Sequence, residues 1–286
     1  MKAFNLIISL LCMLSAFSQS GSPTSAESLS RDRFTLVDIE NEDYWYVQAK
    51  DVVTFSTGTQ GTISGLLDDF GFGISSGRAD VVQISGSIYA VVFRGIDNDG
   101  FLRTFSVDSD GNVVVWNIDE FEFDTNSASL PQIINISGDI YAITYSDANS
   151  DGILITVNID SSGAISGSTI DSLEFDTTQG KYPKIINVSG DIYAIAYAGS
   201  GNDGMLITVD IDSTGAIENS VVNSFEFQTT EGGFPYIISI VGNVYAITYE
   251  CPNDDIYVSS FQIESDGSIN TTIVDTYNLA ASNSFF

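Results

Sequence analysis

One interval governs this chain: its residues recur every 52 positions. Gly86, Gly138, Gly190 and Gly242 keep the interval, and so do Tyr89, Tyr141, Tyr193 and Tyr245. Pro131, Pro183 and Pro235 follow it too, with Ala79 in the equivalent place one copy earlier. Residues 131–182 and 183–234 are identical at 31 of 52 positions. Identity at that level is the mark of duplication, so the fold must be one that a single unit builds by recurring.

Within a copy the apolar residues alternate with period two, as in Ile192-Tyr193-Ala194-Ile195-Ala196-Tyr197. β-branched and aromatic residues in that rhythm are strands. Turn residues divide residues 183–234 into four of them. Strand A is Lys184 to Val188, closed by Ser189-Gly190-Asp191, and strand B is Ile192 to Tyr197, closed by Gly199 to Gly204. Strand C is Met205 to Ile211, closed by Asp212-Ser213-Thr214-Gly215, and strand D runs from about Ala216 to Phe227. Each proline opens a strand A, where its fixed φ and missing N–H are tolerated.

Four antiparallel strands in a unit of this length make the blade of a β-propeller, which hides sheet edges by radial repetition. The fold class is therefore expected to be all-β, a β-propeller of four-stranded antiparallel blades. Five blades fit the chain, at about 31–78, 79–130, 131–182, 183–234 and 235–286. The first copy is shorter and divergent, with residues 34–39, 44–49, 51–56 and 62–72 laid on strands A to D. Phe286 aligns with Phe234, so the copies stop on a repeat boundary, which fits a closed five-blade ring or part of a longer array. The last copy reads Tyr277-Asn278-Leu279 where others carry Glu-Phe, as end repeats do.

Ahead of the repeats, Met1-Lys2 precede an apolar run from Phe4 to Ala16 and the small residues around Ser18. This reads as a signal peptide over residues 1–18, with a Ser, Gly, Pro and Thr-containing flexible leader over 19–30 and the propeller over 31–286. The expected location is secreted or at the extracellular surface, without membrane insertion. Removing Lys2 leaves eight basic residues against 38 acidic ones. That field repels phosphate backbones and anionic lipid, so nucleic acid is excluded as a partner. The mature chain keeps one cysteine, Cys251, and no histidine, which removes a disulfide, the usual general base and the common nucleophile triads.

Strand parity puts the A–B and C–D turns on one face and the B–C and D–A loops on the other. The second set is longer and varies between copies, which makes it the expected binding face. Asp99, Asp151, Asp203 and Asp255 recur there as candidate ligand-binding carboxylates, and Tyr182 and Phe234, just before their prolines, as candidate stacking aromatics. Asp147, Asn149 and Asp151 before Gly152 match the opening of a calcium loop, although Asn158 stands where the bidentate glutamate belongs. Asp and Asn before Gly also suit any tight connection. Calcium is the one candidate cofactor. Paired carboxylates could hydrolyse a glycosidic bond, but near-identical blades repeat one environment where acid and base chemistry needs two. The Phe residues of Glu122-Phe123-Asp124 and Glu174-Phe175-Asp176 are expected between blades, with the acids facing solvent.

The recurring Ser-Gly-Asp-Ile-Tyr-Ala-Ile, Asn-Asp-Gly, Ile-Asp-Ser-x-Gly-x-Ile and Glu-Phe-Asp segments resemble the tandem blades of secreted microbial surface proteins over residues 79–286. More distantly the chain is similar to five-bladed lectins with one sugar site per blade and to integrin-like blades with calcium loops, without the tryptophan-rich pockets of the former or the full acidic loop of the latter. The functional expectation is a secreted, noncatalytic binding or adhesion module with repeated weak sites for a glycan or extracellular protein. A glycoside-directed hydrolase using the acidic face, or a structural surface or matrix protein, are the alternatives.

Overall fold

The computed structural model describes residues 34–38, 45–50, 66–71, 79–95, 97–252 and 255–279, all within one compact unit of the chain. β1 (Phe34–Asp38), β2 (Trp45–Lys50) and β3 (Leu66–Gly71) form a three-stranded antiparallel sheet in chain order. Four four-stranded antiparallel sheets follow, each also in sequence order. The second sheet is β4 (Asp80–Ser85), β5 (Ile88–Arg94), β6 (Gly100–Val107) and β7 (Val113–Asp124). The third is β8 (Ser129–Ser137), β9 (Ile140–Ser146), β10 (Gly152–Ile159) and β11 (Ile165–Asp176). The fourth is β12 (Lys181–Ser189), β13 (Ile192–Ala198), β14 (Gly204–Asp210) and β15 (Asn223–Gln228). The fifth is β16 (Gly233–Val241), β17 (Val244–Cys251), β18 (Asp255–Gln262) and β19 (Asp275–Asn278). These are the expected strands A to D in four copies, and their organisation is that of propeller blades.

Successive sheets pack face to face. β8 lies on β4 and β5, β12 on β8 and β9, and β16 on β12 and β13, while β7 runs beside β11. The alternation in strand B explains why both faces are buried. Its large residues face the preceding sheet and its small ones face the following sheet. Ala90, Val92 and Leu102 thus meet Tyr141, Ile143 and Tyr145 in one cluster, and Ala142 and Leu154 meet Tyr193, Ile195 and Tyr197 in the next. Ala194, Ala196 and Leu206 meet Tyr245, Ile247 and Tyr249 in a third. Small against large lets the sheets interdigitate at interior density, and each fully buried Leu or Ile contributes about 1.5–3 kcal/mol.

Hydrogen bonds between sheets repeat with the packing. Thr104 Oγ1 donates to the Gly163 carbonyl at 2.6 Å, Thr156 to Gly215 at 2.5 Å and Thr208 to Gly267 at 2.6 Å. Each joins strand C of one sheet to the C–D turn of the next. Asp119 and Asp171 accept from the backbone N–H groups of Ile165 and Ile217 in the same direction, at 2.8 and 2.9 Å. At the heads of strand A, Asp80 accepts from the Ile133 N–H and Gln132 from that of Ile185. Lys184 has no acceptor to offer there, and its ammonium lies over the Tyr236 ring at 5.7 Å.

Two elements differ from the expectation. In the fourth sheet strand D is paired only over Asn223–Gln228, preceded by an isolated bridge between Ile211 and Ile217. β11 stays paired through a register shift around Gly167 at φ +69°, and β7 through one around Val115, whereas around the aligned Asn219 the ladder is interrupted; nothing in the structure explains the difference. In the first copy Leu66–Gly71, which the alternation lays on strand D, pairs directly with β2, from Tyr46 opposite Gly71 to Lys50 opposite Leu66. The proposed strand C at 51–56 lies outside the described residues.

The C–D turn is held by its aspartate. Asp160 Oδ1 accepts from the Ser162 hydroxyl at 2.6 Å and from the N–H groups of Ala164 and Ser162, bonds that hold its carboxyl below the usual range, and Gly163 completes the turn at φ +88°. A methyl group on Gly163 would also sit 3.0 Å from Ile88 Cγ2 of the preceding sheet, whereas one on Gly138, at φ +52°, meets nothing within 4 Å. Gly163→Ala should therefore lower stability by roughly 1–3 kcal/mol and Gly138→Ala by about 1 kcal/mol, measured by urea unfolding. Thr156→Val, which strips the buried Gly215 carbonyl of its donor, should cost about 1–3 kcal/mol.

Partial burial raises the Asp80 carboxyl above its ordinary value, with Lys184 and the N–H groups of Ile133 and Val81 working against the shift. A carboxyl raised on folding stabilises most below its unfolded pKa, about 3.9, and loses that contribution as pH rises through the folded value. Asp80→Asn keeps an acceptor for Ile133, as Gln132 does for Ile185. It should raise the urea midpoint at pH 7 and leave it nearly unchanged at pH 3.

Candidate ligand-binding face

The B–C and D–A loops share a face, as parity requires. Ala128 N–H bonds to the Asn98 carbonyl, Gly180 N–H to that of Ser150 and Gly232 N–H to that of Asn202, at 2.7–2.9 Å. Gln179 adds bonds from its amide to the Gly199 carbonyl and to Asn202 Oδ1. On the opposite face the end of strand C bonds back to the A–B turn, with Val107, Ile159, Ile211 and Ile263 N–H groups donating to Ser87, Asp139, Asp191 and Asn243.

The recurring aspartates earn their place partly through the backbone. The carbonyls of Asp99, Asp151 and Asp203 accept from the N–H groups of Gly95, Asp147 and Gly199 at 2.8–3.0 Å and close the loop. Asn98, Ser150 and Asn202 stand just before them at φ +74°, +73° and +65°. The glycine that follows has no room for a side chain, because at Gly152 a Cβ would collide with the Phe175 ring. The Asp99 carboxylate lies beside Glu122 on strand D, and partial desolvation followed by that like charge raises the Glu122 carboxyl. Asp255 accepts from Asn278, the residue aligned with Glu122, at 3.1 Å. The two pairs sit where strand C begins and strand D ends, in the second and fifth sheets.

Asp147, Asn149 and Asp151 are brought together in the loop. Asp147 Oδ1 accepts from the N–H groups of both Asn149 and Asp151 at 2.8 Å, which makes it a loop-closing carboxylate. Among the described residues no group of three or more His, Cys, Asp or Glu side chains is arranged to hold a metal ion. In the Glu-Phe-Asp segments the phenylalanines pack between sheets, Phe123 on Tyr145 and Phe175 on Tyr197 with centroids 5.2 and 5.1 Å apart. The final aspartates do not simply face solvent. Asp176 Oδ1 accepts from the N–H groups of Thr178 and Gln179 while its Oδ2 takes the Tyr197 hydroxyl at 3.0 Å. Burial beside Asp124 and Asp176 pushes the Tyr145 and Tyr197 phenols up.

The feature that sequence reasoning missed lies in the backbone before each proline. Leu130, Tyr182 and Phe234 have φ values of +53°, +58° and +47°. The pairing of strand A with strand B skips at each of them, between Ser129 and Gln132, Lys181 and Lys184, and Gly233 and Tyr236. Bulky residues avoid this region, and each instance costs about 1–3 kcal/mol. The bulge swings the side chain out of the strand, and two from neighbouring sheets meet: Tyr182 and Phe234 stack with centroids 4.0 Å apart and 25° between planes. Phe234 is exposed and Tyr182 half-buried. The residue before a conserved-interval proline was the available signal, but a left-handed φ is not written in residue type.

No protein-family model and no curated protein matches the chain. Among solved structures it is similar to Sqt1 from Chaetomium thermophilum, at 14% identity and a TM-score of 0.48, covering 85% of this chain and 57% of that one. A subtype N10 neuraminidase-like protein of a little yellow-shouldered bat isolate is 12% identical with a TM-score of 0.48, over 82% of this chain and 73% of the other. A thermostable family-43 glycoside hydrolase is 13% identical with a TM-score of 0.42, over 66% and 68%. Among the described residues no helix is long and apolar enough to cross a membrane.

Proposed function

We propose that this chain is a secreted, noncatalytic binding module, a five-bladed propeller that presents weak sites for a glycan or an extracellular protein on its B–C and D–A loop face. One observation carries the reading: three consecutive copies hold a bulky apolar residue, Leu130, Tyr182 and Phe234, in left-handed backbone at the same place. Strain of this kind persists where the surrounding structure pays for a placement that is used. The placement produces an aromatic pair, part of it open to solvent, of a kind that stacks against the apolar face of a sugar ring or a partner's side chain. In this reading Asp99, Asp151, Asp203 and Asp255 supply polar contacts on the same face, and repetition supplies avidity that single contacts lack. The net charge of −29 favours cations and basic partners, and calcium is tested at the loop of Asp147, Asn149 and Asp151.

Binding to an immobilised glycan panel and to cell-surface protein, with and without calcium, is the test. Tyr182→Ala and Phe234→Ala should each weaken binding by about tenfold, the equivalent of ~1.4 kcal/mol. Binding that is absent from both panels, or indifferent to both substitutions, overturns the proposal. A hydrolase is the second reading, supported by Asp99 beside the raised Glu122 carboxyl. It requires glycoside turnover that Glu122→Gln abolishes; the binding reading expects no turnover.

A further inference from the structure

In the second, third and fourth sheets, the face turned toward the following sheet is covered by it. Leu102, Leu154 and Leu206 are all 0% exposed there, and so are Thr104, Thr156 and Thr208. The fifth sheet keeps the chemistry of that face but not its cover. Val258 and Ser260, aligned with Leu206 and Thr208, are only half-buried. Ile240 is 55% exposed and Tyr277 61%, where the aligned Val188 and Phe225 of the fourth sheet are half-buried. The opposite face of the same sheet, with Tyr245, Ile247, Tyr249 and Phe261, is buried against the fourth sheet. Exposed apolar residues concentrated on one sheet face mark a contact surface.

We propose that this face docks the chain's own first sheet, β1 to β3, and that this contact closes five sheets into a ring. The surface continues an interface the molecule already makes three times. Ala246 keeps the small residue that admits a neighbour's aromatic side chains, and the Ser260 hydroxyl stands where Thr208 donates to the carbonyl of the next C–D turn. The occupant must therefore be a sheet with a free face of the kind that receives a preceding sheet. In the second sheet that face is filled, with Tyr89, Val91, Phe93 and Phe105 buried, and in the third to fifth sheets it is filled by the sheet before. β3 runs beside β7 as β7 runs beside β11, so the first sheet holds the preceding place in the series. A second copy is disfavoured as the occupant, because two chains of net charge −29 repel. The proposal rests on the five-blade reading of the fold and not on ligand binding, which is scored separately.

The test uses the full chain with Cys12→Ser and with Ile240→Cys carrying a benzophenone photoprobe, and Val241→Cys as a second position. The Cys12→Ser chain without a second substitution, whose Cys251 is buried, serves as the labelling control. Irradiation should give a product of monomer mass whose cross-linked peptide falls within residues 34–71. A covalent dimer would assign the face to a second copy and overturn the proposal. So would a monomer in which neither probe reaches residues 34–71.

Discussion

A buried hydroxyl bonded to a carbonyl of the next sheet is the contact on which the rest of this structure hangs. Thr104, Thr156 and Thr208 each lie in the interior of a sheet and each point their hydroxyl across the interface, where a glycine carbonyl at the tip of a C–D turn would otherwise be buried without a donor. The carbonyl can arrive there only because the glycine adopts a left-handed φ and carries no side chain to strike the isoleucine opposite. The turn's aspartate holds that conformation through backbone N–H groups, and its position in turn sets where strand D begins. A hydrogen bond, a turn and a strand are thus coupled, and the coupling is repeated at each interface. Sheets built this way stabilise one another as neighbours, with little long-range dependence.

Such a scaffold spends its stability evenly and can support local strain. The bulges at Leu130, Tyr182 and Phe234 sit at the entrance to strand A, where Pro131, Pro183 and Pro235 are themselves buried and fix the chain that follows. The strain is held in place by well-packed structure on one side and by the Gly180 and Gly232 loop contacts on the other. The resulting aromatic pair belongs to the loop face, where the copies differ most. The acidic residues divide between two tasks. Those in the turns and at the ends of strand D bind backbone and tyrosine hydroxyls, whereas Glu122, Glu174 and Glu226 remain exposed and add to a surface that keeps chains apart.

Much of the architecture was legible before any coordinates. The strand order, the face shared by the B–C and D–A loops, the phenylalanines between sheets and the capping role of Asp before Gly all follow from an interval, an alternation and turn chemistry. The failures are specific. Strand D of the fourth sheet is paired only over Asn223–Gln228, although the alternation runs on from Ala216 as it does in its counterparts. Leu66–Gly71, laid on strand D by the alternation, pairs directly with β2, and which strands become neighbours is set by tertiary contact rather than by residue type. Asp124 and Asp176 were read as solvent-facing because their tyrosine partners come from the next sheet.

By itself the sequence determined the unit: four strands, their alternation, their turns, and a small-against-large complement in strand B that obliges each sheet to find another. Those are properties of residues near in the chain, where period and turn preference act directly. Tertiary structure decided what distant residues do to one another. It brought Tyr182 onto Phe234, joined Asp176 to Tyr197, turned the candidate calcium residues into a loop closure, and left one face of the fifth sheet without its cover. Each of these depends on positions about a whole repeat apart or on a backbone angle imposed from outside, and neither is a local property of the chain.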